Sequence, residues 1–139
     1  MCEDDTKEPT PPRSRRVLIA EDEPLMANAI QRVLKQAGYE TVIAGDGFLA
    51  GSLLQTFRPS LMTLDLNMPC MNGLDVLDFL QGLREPLRLL ACRVLVVSAE
   101  SPYRIAQALS LGAHGAVVKP FANDTLLHAV DRLLSARSP

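Results

Sequence analysis

The chain has 139 residues, enough for one domain and too few for two ordinary ones. Hydrophobic residues make up 47% and aromatics 4%, with no Trp, so Leu, Val, Ile and Ala must build the core. A net charge of -2 and few aromatic rings leave neither an electrostatic footprint nor a stacking platform for nucleic acid. Cys2, Cys70 and Cys92 are odd in number and lack CxxC spacing, which argues against a disulfide framework or zinc site. A reducing, cytoplasmic setting fits that usage. No apolar run approaches the roughly 18 residues of a membrane span. The N-terminus is acidic where a secretory signal would be basic and then apolar.

Residues 1–14 read as a disordered tail. Glu3, Asp4, Asp5, Lys7 and Glu8 precede Pro9, Pro11 and Pro12, with little apolar surface to bury. Arg13, Arg15 and Arg16 follow, as a solvated charge flank or a docking patch. From residue 15 to 137 the pattern alternates. Val17–Ala20 is an apolar run of strand length. Pro24 opens a helix whose Met26, Ile30, Val33, Leu34 and Ala37 recur at helical spacing, stopped by Gly38. Tyr39–Ala44 is a second strand, and Asp46 caps a helix to about Thr56. Leu61–Leu66 is a third strand. A helix from about Asn72 to Leu83 follows, with Leu74, Val76, Leu77 and Leu80 apolar, then a loop from Glu85 to Ala91. Arg93–Val97 is a strand, Pro102–Leu111 a helix ended by Gly112, and Ala116–Val118 a strand. Leu126, Leu127, Val130, Leu133 and Leu134 line one face of the last helix.

Five β–α units with continuous apolar strands predict an α/β fold: a parallel sheet with helices on both faces. In such a sheet, ligands bind outside the carboxyl ends of the strands. Those ends carry Glu21-Asp22-Glu23, Asp65, Ser98 and Lys119-Pro120. Glu21, Asp22 and Asp65 converging in one cleft would repel by about 4 kcal/mol per pair at ~4 Å and an effective dielectric near 20. Such a cleft favours a cation, and oxygen ligands with room for water suit Mg²⁺. The Asn67 carbonyl offers a further oxygen. Lys119 can neutralise charge on a phosphoryl group, and Ser98 can donate a hydrogen bond to it. An aspartate in this company is a known type of nucleophile, forming an aspartyl-phosphate.

The set Glu21-Asp22, Asp65, Ser98 and Lys119-Pro120-Phe121 resembles the receiver domain of bacterial response regulators in two-component signalling. The stretch Asp65 to Gly73 resembles that family's D-x-x-M-P-x-M-[ND]-G loop, and Val17 to Pro24 resembles its opening strand and acid pair. The likeness covers about residues 15–137. It implies a flavodoxin-like sheet of order 2-1-3-4-5. It implies Asp65 as phosphoacceptor, with Mg²⁺ bound directly by Asp22, Asp65 and the Asn67 carbonyl and through water by Glu21. Ser98 would hold a phosphoryl oxygen and report phosphorylation. Lys119 would pair with Asp65 and then with the phosphoryl, and the Lys119–Pro120 bond would be cis. Asn67 and Glu100 would flank the attacking water. A histidine kinase or phosphotransfer protein would be the donor, and the 102–137 surface would change for a partner, an output domain or a second copy.

Two positions depart from the family pattern. Ala116 stands where an aromatic residue often partners the Ser/Thr switch, with Tyr103 as a candidate substitute. Glu21 stands where Asp is commoner. Each signal also has a plainer reading: Asp22 as a helix cap, Ser98 as a turn residue, His114 and His128 as surface residues, Cys70 as an ordinary thiol. Two rival functions follow: a receiver-shaped interaction module that is never phosphorylated, and a small Mg²⁺-dependent phosphohydrolase. The chain ends just past the last helix, as a stand-alone receiver or part of a larger regulator.

Overall fold

The computed structural model describes residues 15–68, 74–78 and 92–135. The expectations for the tail at 1–14, the loop at 69–73, the helix beyond 78, the 85–91 loop and Cys70 fall outside these. The elements are β1 (Arg16–Ala20), α1 (Pro24–Gln36), β2 (Glu40–Ala44), α2 (Gly47–Thr56) and β3 (Leu61–Leu64). Helical residues 74–78 (α3) follow, then β4 (Arg93–Ser98), α4 (Pro102–Ser110), β5 (Gly115–Val118) and α5 (Asn123–Ser135). All strand pairs are parallel, in the order β2-β1-β3-β4-β5 that the sequence implied.

Successive strand residues point to opposite faces, and both faces are covered. Leu18, Ala20, Met62, Leu64, Val94 and Val96 meet Leu54 of α2, Val76 and Leu77 of α3, and Ile105 and Ala108 of α4. Val17, Ile19, Leu61, Leu95, Val97 and Val117 meet Ile30 and Leu34 of α1 and Leu126 and Val130 of α5. Each fully buried Leu or Ile contributes about 1.5–3 kcal/mol relative to exposure. This two-sided burial explains the absence of alternation in the strand sequences.

The helix ends are set locally. The Glu23 carboxylate accepts from the Met26 amide at 2.9 Å, so Glu23, and not Asp22, caps α1. Asp46 caps α2 as expected, accepting from Leu49 N at 2.8 Å. Gly38 ends α1 at φ 97°, and Tyr39 N reaches back to Leu34 O at 3.0 Å. A Cβ on Gly38 would stand 2.9 Å from the movable end of the Arg15 side chain, so it is the positive φ that selects glycine.

Arg15 and Arg16 are neither a free charge flank nor an open docking patch. Arg15 donates to Ala37 O and Gly38 O at the end of α1 and lies over the Tyr39 ring. Arg16 donates to Phe57 O at the end of α2. Arg15 precedes β1 and Arg16 is its first residue, and each guanidinium meets the negative end of a different helix. Tyr39 in turn donates its hydroxyl to Asp131 of α5.

Two strand boundaries differ from expectation. β2 starts at Glu40, because Tyr39 belongs to the turn that closes α1. β3 stops at Leu64 rather than Leu66, with the Asp65 amide making the last bond to β1 at Ala20 O.

Candidate functional site

The last ladder bonds of the sheet hold the site. Glu21 N donates to Ala44 O, Asp65 N to Ala20 O and Lys119 N to Ser98 O, each at 3.0 Å. Neighbouring strands therefore fix the backbone of all three residues at one edge of the sheet. The Lys119–Pro120 bond is cis.

Glu21, Asp22, Asp65, Asn67, Ser98 and Lys119 all line one cleft of about 380 Å³. Carboxylate oxygens of Glu21, Asp22 and Asp65 lie within 4.8 Å of one another. Glu21 and Asp65 are buried while Asp22 is exposed, so the cluster is open to water on one side. The Asn67 amide donates to Asp65 Oδ1 at 3.3 Å. Burial first, and the Glu21 carboxylate second, push the Asp65 carboxyl up from 3.8 to about 6, against the pull of Lys119 and the Asn67 amide. Three acids held this close, one of them reluctant to ionise, make a donor set suited to a small hard cation with water in its shell.

Lys119 makes the ion pair with Asp65 that the resemblance implied, and adds a shorter bond to Glu21. Its Nζ is 2.8 Å from Glu21 Oε1 and 3.9 Å from Asp65 Oδ2. The hydrogen bond goes to Glu21, which has a longer stem than the commoner Asp, and Asp65 receives the charge without the bond. Asp65 therefore keeps an oxygen uncommitted toward the cleft.

Ser98 is fully buried, and its Oγ accepts the Glu100 amide at 3.0 Å. Ala116 is exposed, and Tyr103 is 77% exposed. His128 is exposed, as expected. His114 is exposed too, but its Nδ1 accepts the Val94 amide at 3.0 Å, a role the sequence did not suggest.

Sequence reasoning also missed two cleft features. Glu23 lines the cleft while capping α1. The Glu100 carboxylate pairs with Arg104 at 3.8 Å. The second was legible as an i,i+4 Glu–Arg pair at a helix start.

A doubly covered parallel sheet with this acid–serine–lysine cleft defines a receiver-type signalling module. The family model for the response regulator receiver domain matches residues 17–131, and the chain belongs to that family. Protein CcdB of Bacillus subtilis is 35% identical over 127 residues, covering 86% of this chain and 97% of that protein. The DNA-binding response regulator MtrA of Mycolicibacterium smegmatis is 32% identical, over 84% of this chain but only 49% of its own length. The chain thus spans about half of that longer relative. A response regulator signal receiver domain from Bermanella marisrubri has a solved structure 41% identical to this chain. It matches with TM-score 0.78, covering 86% of this chain and 98% of the other. The family assigns a role in two-component signalling. No helix among the described residues is long and apolar enough to cross a membrane.

Proposed function

We propose that this chain is a phosphorylation-dependent switch that accepts a phosphoryl group on Asp65 from a histidine kinase or phosphotransfer protein. The observation that carries this reading is the Asp65 carboxylate itself. It is buried, 3.9 Å from the Lys119 ammonium, and shares a water-accessible cleft with two further acids. An oxygen of Asp65 attacks phosphorus; the bond from phosphorus to the donor imidazole breaks, and that nitrogen leaves with the electron pair. Lys119 holds positive charge beside the transferring group, and the Ser98 hydroxyl, whose oxygen accepts the Glu100 amide, donates its proton to one of the phosphoryl oxygens.

Glu21, Asp22, Asp65 and the Asn67 carbonyl would hold Mg²⁺. The ion would neutralise charge on the phosphoryl oxygens and favour the ionised carboxyl of Asp65. With the phosphoryl in place, movement of Ser98 would redraw the 99–101 segment and the start of α4, which bounds the 102–137 surface offered to a partner or a second copy. The protein would thus transfer phosphoryl to itself and hydrolyse it, without turning over a separate substrate. Its kinase partner would place it in the cytoplasm.

The test is an intact mass after incubation with acetyl phosphate and Mg²⁺, with Asp65→Asn alongside. One added phosphoryl, absent in the variant, is expected. No added phosphoryl, and no response of Ser98 to a beryllium fluoride mimic, would instead select a receiver-shaped interaction module. Steady release of product from a small phosphate ester would select the phosphohydrolase.

A further inference from the structure

The cleft is short of positive charge. Among the described residues, five carboxylates line it, those of Glu21, Asp22, Glu23, Asp65 and Glu100, against the single ammonium of Lys119. A phosphodonor is itself an anion, so its approach is opposed by the field of the mouth. Four of the acids have duties already described: the acid cluster of Glu21, Asp22 and Asp65, and the helix cap of Glu23. Glu100 is different. Its backbone amide is tied to Ser98 Oγ at 3.0 Å, which fixes the residue at the rim. Its carboxylate is held by Arg104 NH1 at 3.8 Å, one turn along, with side chains 26% and 34% exposed respectively. Arg104 does not line the cleft, and its own amide is fixed in the first turn of α4 by the Ser101 cap. The guanidinium Nε is enclosed without a hydrogen-bond partner, and the ion pair with Glu100 is made through NH1.

We propose that Arg104 is a positioning residue for phosphoryl transfer. It holds the Glu100 carboxylate and cancels its field at the mouth, and so decides how well highly charged phosphodonors reach Asp65. The inference rests on Asp65 being the phosphoacceptor. An isolated ion pair this exposed adds little stability, a few tenths of a kcal/mol being typical of i,i+4 helix pairs. Its effect on an incoming anion is separate, because that depends on the net charge presented and not on the pair's own binding energy.

The discriminating experiment compares two small donors that place the same phosphoryl on Asp65. With acetyl phosphate, the carboxylate oxygen bonds to phosphorus and acetate leaves with the electron pair. With phosphoramidate, which carries one less negative charge, the P–N bond breaks and ammonia leaves. Initial rates are read by intact mass at low salt with Mg²⁺. In Arg104→Gln the ratio of the acetyl phosphate rate to the phosphoramidate rate should fall about two- to fivefold, the size of one unscreened charge acting across the mouth. Arg104→Lys should keep the wild-type ratio. Glu100→Gln/Arg104→Gln should recover it, and raising salt past the screening length should erase the difference. A merely structural Arg104 would slow both donors alike. An unchanged ratio in Arg104→Gln, or an equal fall in the double variant, overturns the proposal while Asp65 phosphorylation stands. A wild-type protein that takes phosphoryl from neither donor overturns the function proposed above, and this inference with it.

Discussion

Removing the charge of Asp65 should stabilise the ion-free protein. The carboxyl is shifted from 3.8 to about 6 in the folded state. The folded protein thus binds the proton more tightly than the unfolded chain does. Stability is therefore complete below about pH 4 and declines as pH rises through the window from 4 to 6. At about 1.4 kcal/mol per unit, the loss at pH 7 has an upper limit near 3 kcal/mol. The cleft opens to water beside Asp22, so solvent screening sets the expected value at about 1–3 kcal/mol. Asp65→Asn keeps the shape and deletes this penalty, and Lys119 retains its 2.8 Å bond to Glu21. Urea unfolding with a chelator present should show the variant more stable by that amount at pH 7, and the two proteins matched near pH 4. Adding Mg²⁺ should narrow the gap at pH 7, since the ion binds the folded wild type through the carboxylate the variant lacks. Equal stabilities at pH 7, or a gap of the same size at pH 4, would refute the charge argument.

Two further outcomes are expected. Thr63 lies between Ile19 and Leu95 in the sheet, 1% exposed, with its Oγ1 unpartnered. Thr63→Val removes a buried hydroxyl at constant shape and should raise stability by about 1 kcal/mol in urea unfolding; a loss of that size would mean the hydroxyl is paired in solution. Burial, and then the hydrogen bond to Asp131, raise the Tyr39 hydroxyl to about 12. The folded state favours that proton, so stability should fall as pH rises from 10 toward 12. The phenolate absorbance step near 12 should disappear in Tyr39→Phe, with a loss of about 1 kcal/mol at pH 7.

The relation of this chain to its structure is uneven. Val17–Ala20 and Val94–Val97 are continuous apolar runs because both of their faces are buried, and that alone predicted a parallel sheet covered on two sides. Asp46 and Gly38 named their helix ends through local hydrogen bonding and backbone freedom. The location of the cleft was legible too. Strand period and the one-way direction of a parallel sheet force Glu21, Asp65, Ser98 and Lys119 to one edge, whatever the helices do.

Pairings across that edge were not legible, because they depend on angstrom-scale reach between residues far apart in the chain. The resemblance implied the ion pair of Lys119 with Asp65, but not its shorter bond to Glu21, 98 residues away. Arg15 and Arg16 looked alike as a charge run, and only the packing of α1 and α2 beside the start of β1 offers each a different helix end. His114 gives no sign in sequence that its ring will meet the Val94 amide across the β4–β5 seam. Hydrophobic period and capping are short-range and survive in the order of residues. Ion pairs and side-chain acceptors are chosen by competition among neighbours that exist only once the sheet has closed.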